Sequence, residues 1–163
     1  MLFSTLPMAE ERYFLYGDSR DLKVDPADAR SVDGKTIGVM ENAIPEDVLN
    51  AWEADNGIAT SHTQITTAED VLENLEAGSM DCFVSVEEVW DQDYVMPLLY
   101  IGSSDVYFAV NQGRADIKKE LDGAMARIAS TDPYYNDALY EKYFAAPATA
   151  LWHLCSTFFF SGG

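Results

Sequence analysis

Glu87 and Glu88 stand side by side, with Trp90 and Tyr94 close behind. Adjacent carboxylates can grip a ligand as a pair, or can form a solvated turn. The two aromatics can line a binding site as a wall, or can be buried. Asn42, just ahead of Pro45, suits two roles. It can cap a helix, or it can meet a ligand at the helix N-terminus. No nucleophile–base constellation or phosphate-cradling glycine loop is present. His62 and His153 lack the spacing of metal ligands, so no metal is expected. Cys82 lies in the apolar run Cys82-Phe83-Val84 and reads as a buried thiol. No cofactor is implied.

These groups belong to a chain of 163 residues with a formal net charge of −18. Nearly half of it is apolar, enough for a core. The acidity excludes nucleic acid, whose phosphates require Lys and Arg, and docking to anionic lipid. The first residues lack the basic start and cleavage site of a signal peptide. The apolar stretch 148–160 falls short of the roughly 20 residues that span a bilayer.

Periodicity and punctuation predict the elements that must position the candidate residues. Residues 12–17 read as a strand and 18–33 as a polar loop with one short turn. A strand over 35–40 follows Asp33-Gly34. Pro45 opens a helix over 45–55 that buries Ile44, Val48, Leu49 and Trp52 and ends at Gly57. A strand spans 61–65. Thr66 and Glu69 have capping-box spacing and open a helix that buries Val71, Leu72 and Leu75 and ends at Gly78. Asp81 fixes the turn into a strand over 81–84. Such β-α-β-α-β alternation implies parallel strands with right-handed crossovers. Strands over 97–102 and 106–110 flank Ser103-Ser104-Asp105. A helix over 115–130 carries Ile117, Leu121, Met125 and Ile128 on one face. A second runs from Asp132-Pro133 to about Phe144, and a third is predicted over 151–160.

The order of several short motifs resembles the bacterial extracellular solute-binding proteins of the type II periplasmic fold, the amino-acid binders in particular. Phe3-Ser4-Thr5-Leu6-Pro7 resembles the segment before that family's first crossing between lobes, and residues 12–16 resemble the crossing strand. Asp33-Gly34-Lys35-Thr36-Ile37-Gly38-Val39 resembles the strand that opens the second lobe. Ala77-Gly78-Ser79-Met80-Asp81-Cys82 resembles its glycine turn into a strand. Residues 106–110 resemble the returning strand, and 134–144 the closing helix.

The resemblance implies an α/β architecture, one lobe with a parallel-rich mixed sheet flanked by helices. The first lobe is expected to be incomplete. Residues 1–17 would end lobe 1 and make the first crossing, and 18–102 would form lobe 2. Residues 103–150 would return to lobe 1, and 151–163 would be an apolar tail. The implied function is non-catalytic recognition of a small polar solute by lobe closure. The setting would be extracytoplasmic, tethered to the membrane, and coupled to a membrane-spanning signalling or transport partner. The implied ligand contacts are Glu41, Asn42, Ala43, Glu87 and Trp90. Where amino-acid binders carry Gly-Thr-Thr or Gly-Thr-Ser, this chain has Glu41-Asn42-Ala43. Glu41 repels an anion and Ala43 has no hydroxyl, so a cationic, neutral or peptide-like ligand fits the acid-rich mouth better than an ordinary amino acid. Amino acids, polyamines and peptides all stay open. Two other readings remain. One is a module with a decayed cleft, dimerising through the incomplete lobe or the tail. The other is a dehydratase-type enzyme using Glu41 and Glu87 as acid and base.

Overall fold

The computed structural model describes residues 1–40, 43–88, 90–135, 138–139 and 142. Its centre is a five-stranded sheet made of β2 (Ala9–Asp18), β3 (Thr36–Val39), β4 (Ser61–Gln64), β5 (Cys82–Val86) and β6 (Val95–Val106). The spatial order is β4-β3-β5-β2-β6. β3 runs parallel to both β4 and β5, while β2 runs antiparallel to β5 and β6. The sheet is thus mixed, with a parallel half built by two crossovers. β1 (Leu2–Phe3) and β7 (Ala109–Val110) form a small separate ladder, and α3 (Ala115–Thr131) follows it.

Each face of the sheet carries its own core. α1 (Ile44–Asn56) covers one face, where Leu15, Ile37, Val39, Cys82 and Val84 meet its Leu49. The 18–33 connection adds Val24 and Val32, the latter from a 3-10 turn over Ala29–Val32. α2 (Ala68–Ala77) covers the other face, where Val71 and Leu75 pack on Tyr16, Ile65, Met80 and Phe83. The alternation along β5, with Cys82 and Val84 to one side and Phe83 to the other, is the period of two expected for a strand buried on both faces. Gly38 sits in the tightest part of the α2 side. A Cβ there would lie 2.2 Å from Met80 Sδ and 3.1 Å from Phe83 Cβ.

Both crossover helices end as the sequence predicts. Gly57 and Gly78 adopt left-handed φ of 64° and 68° and return their N–H groups to the last turn. Asp81 holds the entry to β5, because its Oδ2 accepts the Thr36 N–H at 2.8 Å. Burial leaves the Cys82 thiol fully enclosed and pushes its pKa up to about 12.

Four expectations change. The capping box of α2 is Thr67 with Asp70, one residue later than Thr66 with Glu69. Both pairs have the same spacing, and the register that buries Val71 and Leu75 decides between them. Ile44 begins α1 at its exposed end and is 52% accessible, so the buried stripe reduces to Leu49 flanked by Val48 and Trp52. The α1 N-cap is Ala43, which makes no side-chain cap. Ser103-Ser104-Asp105 is not a turn, since these residues pair with Arg12, Glu11 and Glu10 within one continuous β6. The ladder absorbs its irregularity elsewhere, at two register shifts, between Tyr13 and Phe14 opposite Gly102 and Tyr100 and between Leu15 and Tyr16 opposite Leu99 and Pro97.

β2 and β6 are longer than their neighbours and extend past the end of β5 as a two-stranded ribbon, with Ala9 opposite Val106. Beyond the ribbon, Ser4 and Phe108 exchange hydrogen bonds. The Thr5 N–H and hydroxyl both donate to the Asp122 carboxylate of α3. No residue of α3 is fully buried. The expected helix from Asp132 lies only in part, and the tail over 151–163 not at all, within the described residues. Among those residues no helix is long and apolar enough to cross a membrane.

Candidate functional site

The carboxyl ends of β3, β4 and β5 open together on a cavity of about 660 Å³. This is where parallel α/β sheets characteristically bind ligands, because the crossover helices begin there and leave a crevice between them. The N-terminal residues Ala43 and Pro45 of the α1 side and Thr67 and Ala68 of the α2 side both line it. Phe83 and Val71 form part of its floor. Ser85, Glu88, Trp90 and Asp91 come from the end of β5 and the loop after it.

The α2 rim is held by its own carboxylate. Asp70 Oδ2 accepts the backbone N–H of Thr66 at 3.1 Å and of Thr67 at 3.0 Å, as well as the Thr66 hydroxyl. The Asp70 N–H returns to Thr67 Oγ1 at 3.1 Å. These donors, led by the Thr66 hydroxyl, hold the Asp70 carboxyl below its ordinary pKa. The β5 rim is held by Tyr16. Its phenol oxygen accepts the Glu88 N–H at 3.0 Å and lies 3.1 Å from the Glu88 carbonyl. Burial raises the Tyr16 pKa. The Ser85 hydroxyl donates to the Glu88 carboxylate.

Trp90 packs edge-on against Phe83, with ring centroids 4.9 Å apart. It is half-buried and lines the cavity. Its Nε1 is buried with no hydrogen-bond partner, the one such side-chain atom among the described residues.

The predicted contacts separate. Ala43 and Trp90 both line the cavity. Glu87 does not; its backbone N–H bonds the Arg12 carbonyl at 2.8 Å, and its carboxylate lies 3.6 Å from the Arg12 guanidinium, where the ribbon leaves the sheet. Glu41 and Asn42 lie outside the described residues. Tyr94, the other half of the expected wall, stacks under Arg20 with the guanidinium carbon 3.5 Å from the ring centroid, away from the cavity. Sequence reasoning passed over Thr66, Ser85 and Asp91 as site residues. The usable signal was positional, since each follows or ends a parallel strand at its carboxyl end. Among the described residues no group of three His, Cys, Asp or Glu is placed to hold a metal.

The architecture has many solved counterparts. A probable amino-acid ABC transporter extracellular-binding protein from Bacillus subtilis superposes with a TM-score of 0.70 at 17% identity, covering 87% of this chain and 63% of that one. The fold is that of a type II periplasmic binding protein. An ancestral arginine-binding protein bound to arginine shares this periplasmic binding fold at a TM-score of 0.55 and 19% identity, over 88% of this chain and 64% of its own. An ancestral amino acid-binding protein, described as a precursor of cyclohexadienyl dehydratase, does so at 0.59 and 14%, over 88% and 60%. The chain therefore spans less than two thirds of the length of these periplasmic binding proteins. No protein-family model and no curated protein matches the sequence.

Proposed function

We propose that the chain is a non-catalytic recognition lobe for a small polar solute, working outside the cytoplasm and acting by closure against a second lobe. The observation that carries this reading is the 660 Å³ cavity at the carboxyl ends of three parallel strands, between the starts of two helices. The company of this fold supports it, because the similar structures include an arginine-bound protein and an amino-acid transporter's binding protein.

In this reading β2 and β6 are the strands that cross between lobes. The unit built from residues 18–102 is the complete lobe, and β1, β7 and α3 belong to the other. Ligand contacts with both bodies would favour the closed arrangement, and a membrane-spanning transport or signalling partner would read that state. In this reading Ala43 and Trp90 contact the solute, and the sequence adds Glu41 and Asn42 as candidate contacts. Glu87 acts through Arg12 at the crossing.

A dehydratase-type reading has one neighbour in its favour. Against it, Glu87 engages Arg12 and does not line the cavity.

The test is thermal unfolding of the full-length protein against a panel of amino acids, polyamines, short peptides and carboxylates. A ligand that binds only the folded state adds about 2.7 kcal/mol at a hundredfold excess over Kd. A selective upward shift that disappears in Ala68→Trp, which fills the cavity mouth, supports the reading. A shift that survives this substitution places the site elsewhere. A flat response, with a melting temperature that rises with protein concentration, replaces solute recognition with self-association.

A further inference from the structure

We propose that this cleft selects small organic cations that carry no free carboxylate, such as di- and polyamines. The inference rests on the reading of the cavity as a solute site and narrows its ligand class.

Three features converge. Glu69, Glu88 and Asp91 line the cavity, and no Lys, Arg or His does so among the described residues. On this wall of the cleft, nothing basic among the described residues is in place to balance an anionic ligand.

The second feature concerns the two helix starts, which ordinarily attract anions because their first N–H groups are unpaired and the helix dipole is positive there. Both already carry negative charge, Glu69 and Asp70 in the first turn of α2 and Glu46 and Asp47 in that of α1. The α2 start is occupied by Asp70, which takes the N–H groups of Thr66 and Thr67, while Thr67 Oγ1 takes that of Asp70. The α1 start has Pro45, which has no N–H, followed by Glu46 and Asp47 in the first turn. A ligand carboxylate at either place would meet like charge in the first turn.

Trp90 is the third feature. Its ring lines the cavity beside the acidic groups, and an indole face attracts ammonium more strongly than other aromatic rings do. Its Nε1–H is buried without a partner, and an ammonium, which has no lone pair, does not supply one, so the ring face and not this donor favours the cation. One uncharged donor does not offset three carboxylates toward an anion. The net charge of −18 adds a field that draws cations in, more weakly as salt rises.

Matched pairs separate the ligand class from solute binding as such. Calorimetric titration of the full-length protein would compare agmatine with arginine, cadaverine with lysine and putrescine with ornithine, each amine being its parent amino acid without the carboxylate. The expected result is tighter binding of the amine in each pair, weakening as NaCl is added. Glu88→Gln with Asp91→Asn, two exposed positions whose replacement leaves the core intact, should weaken amine binding about fivefold or more. Glu120→Gln on α3 should leave it unchanged. Tighter binding of the parent amino acids overturns the inference and leaves solute recognition standing. Amine binding that the double variant does not weaken also overturns it. No binding by any probe overturns both.

Discussion

Single positions carry much of the packing in this lobe. Gly38 is the tightest of them. An added methyl would sit against Met80 Sδ, which can swing away, and against Phe83 Cβ and Ile65, which belong to fixed elements. Gly38→Ala should therefore cost about 1–3 kcal/mol, the usual range for overpacking a well-filled core. Urea unfolding would read it as a lower midpoint at unchanged slope. An unaltered midpoint would mean that Met80 alone absorbs the methyl. Cys82 shows burial acting differently. The thiol lies in the core with its pKa near 12, so it is a small apolar filler and not a nucleophile at neutral pH.

At the scale of elements, the start of α2 is both a structural joint and a wall of the cleft. Asp70 bonds Thr66 and Thr67 only as a carboxylate acceptor, and its folded pKa is lowered. A lowered folded pKa means that the unfolded chain binds the proton first. The contribution is thus fully present above the ordinary aspartate pKa of about 3.9 and is lost as pH falls through the lower folded value. Asp70→Asn should flatten that part of the acid limb of stability, leaving the neutral-pH dependence unchanged. Chemical unfolding at a series of pH values checks this, and an identical acid limb in the variant would refute it.

The helices and strands over residues 35–86 were legible because local signals agree there: Pro45 at one helix start, glycines at both ends, apolar residues at helical spacing. Where two local signals compete, only packing chooses between them, as with Thr66/Glu69 against Thr67/Asp70. Ser103-Ser104-Asp105 misleads for the opposite reason. Its composition suits a turn, but β2 offers partners far away in sequence, and the ladder prevails. The cleft was half legible. Ala43 was suggested by motif position and Trp90 by residue type, whereas Thr66, Ser85 and Asp91 come to one cavity only when the ends of β4 and β5 align.

For the molecule as a whole, burial is uneven. Leu15, Ile37 and Phe83 in the central strands are fully enclosed, while α3 buries no residue completely and leaves Ile117 and Ile128 about 40% accessible. Amides of β3 and β5 should exchange with deuterium only through global unfolding, and those of α3 through much cheaper local opening. Peptide-resolved exchange on this chain should show α3 exchanging first. Equal protection would mean that α3 gains its cover from a surface not yet accounted for.

The ribbon gives the lobe one more property. Ala9 and Val106 are paired neighbours, so the chain enters and leaves the five-stranded unit about 5 Å apart, one strand spacing. A body whose two ends meet at one doorway can be spliced into a surface loop of another protein without stretching either chain. The geometry of such an attachment asks for only two adjacent strand ends.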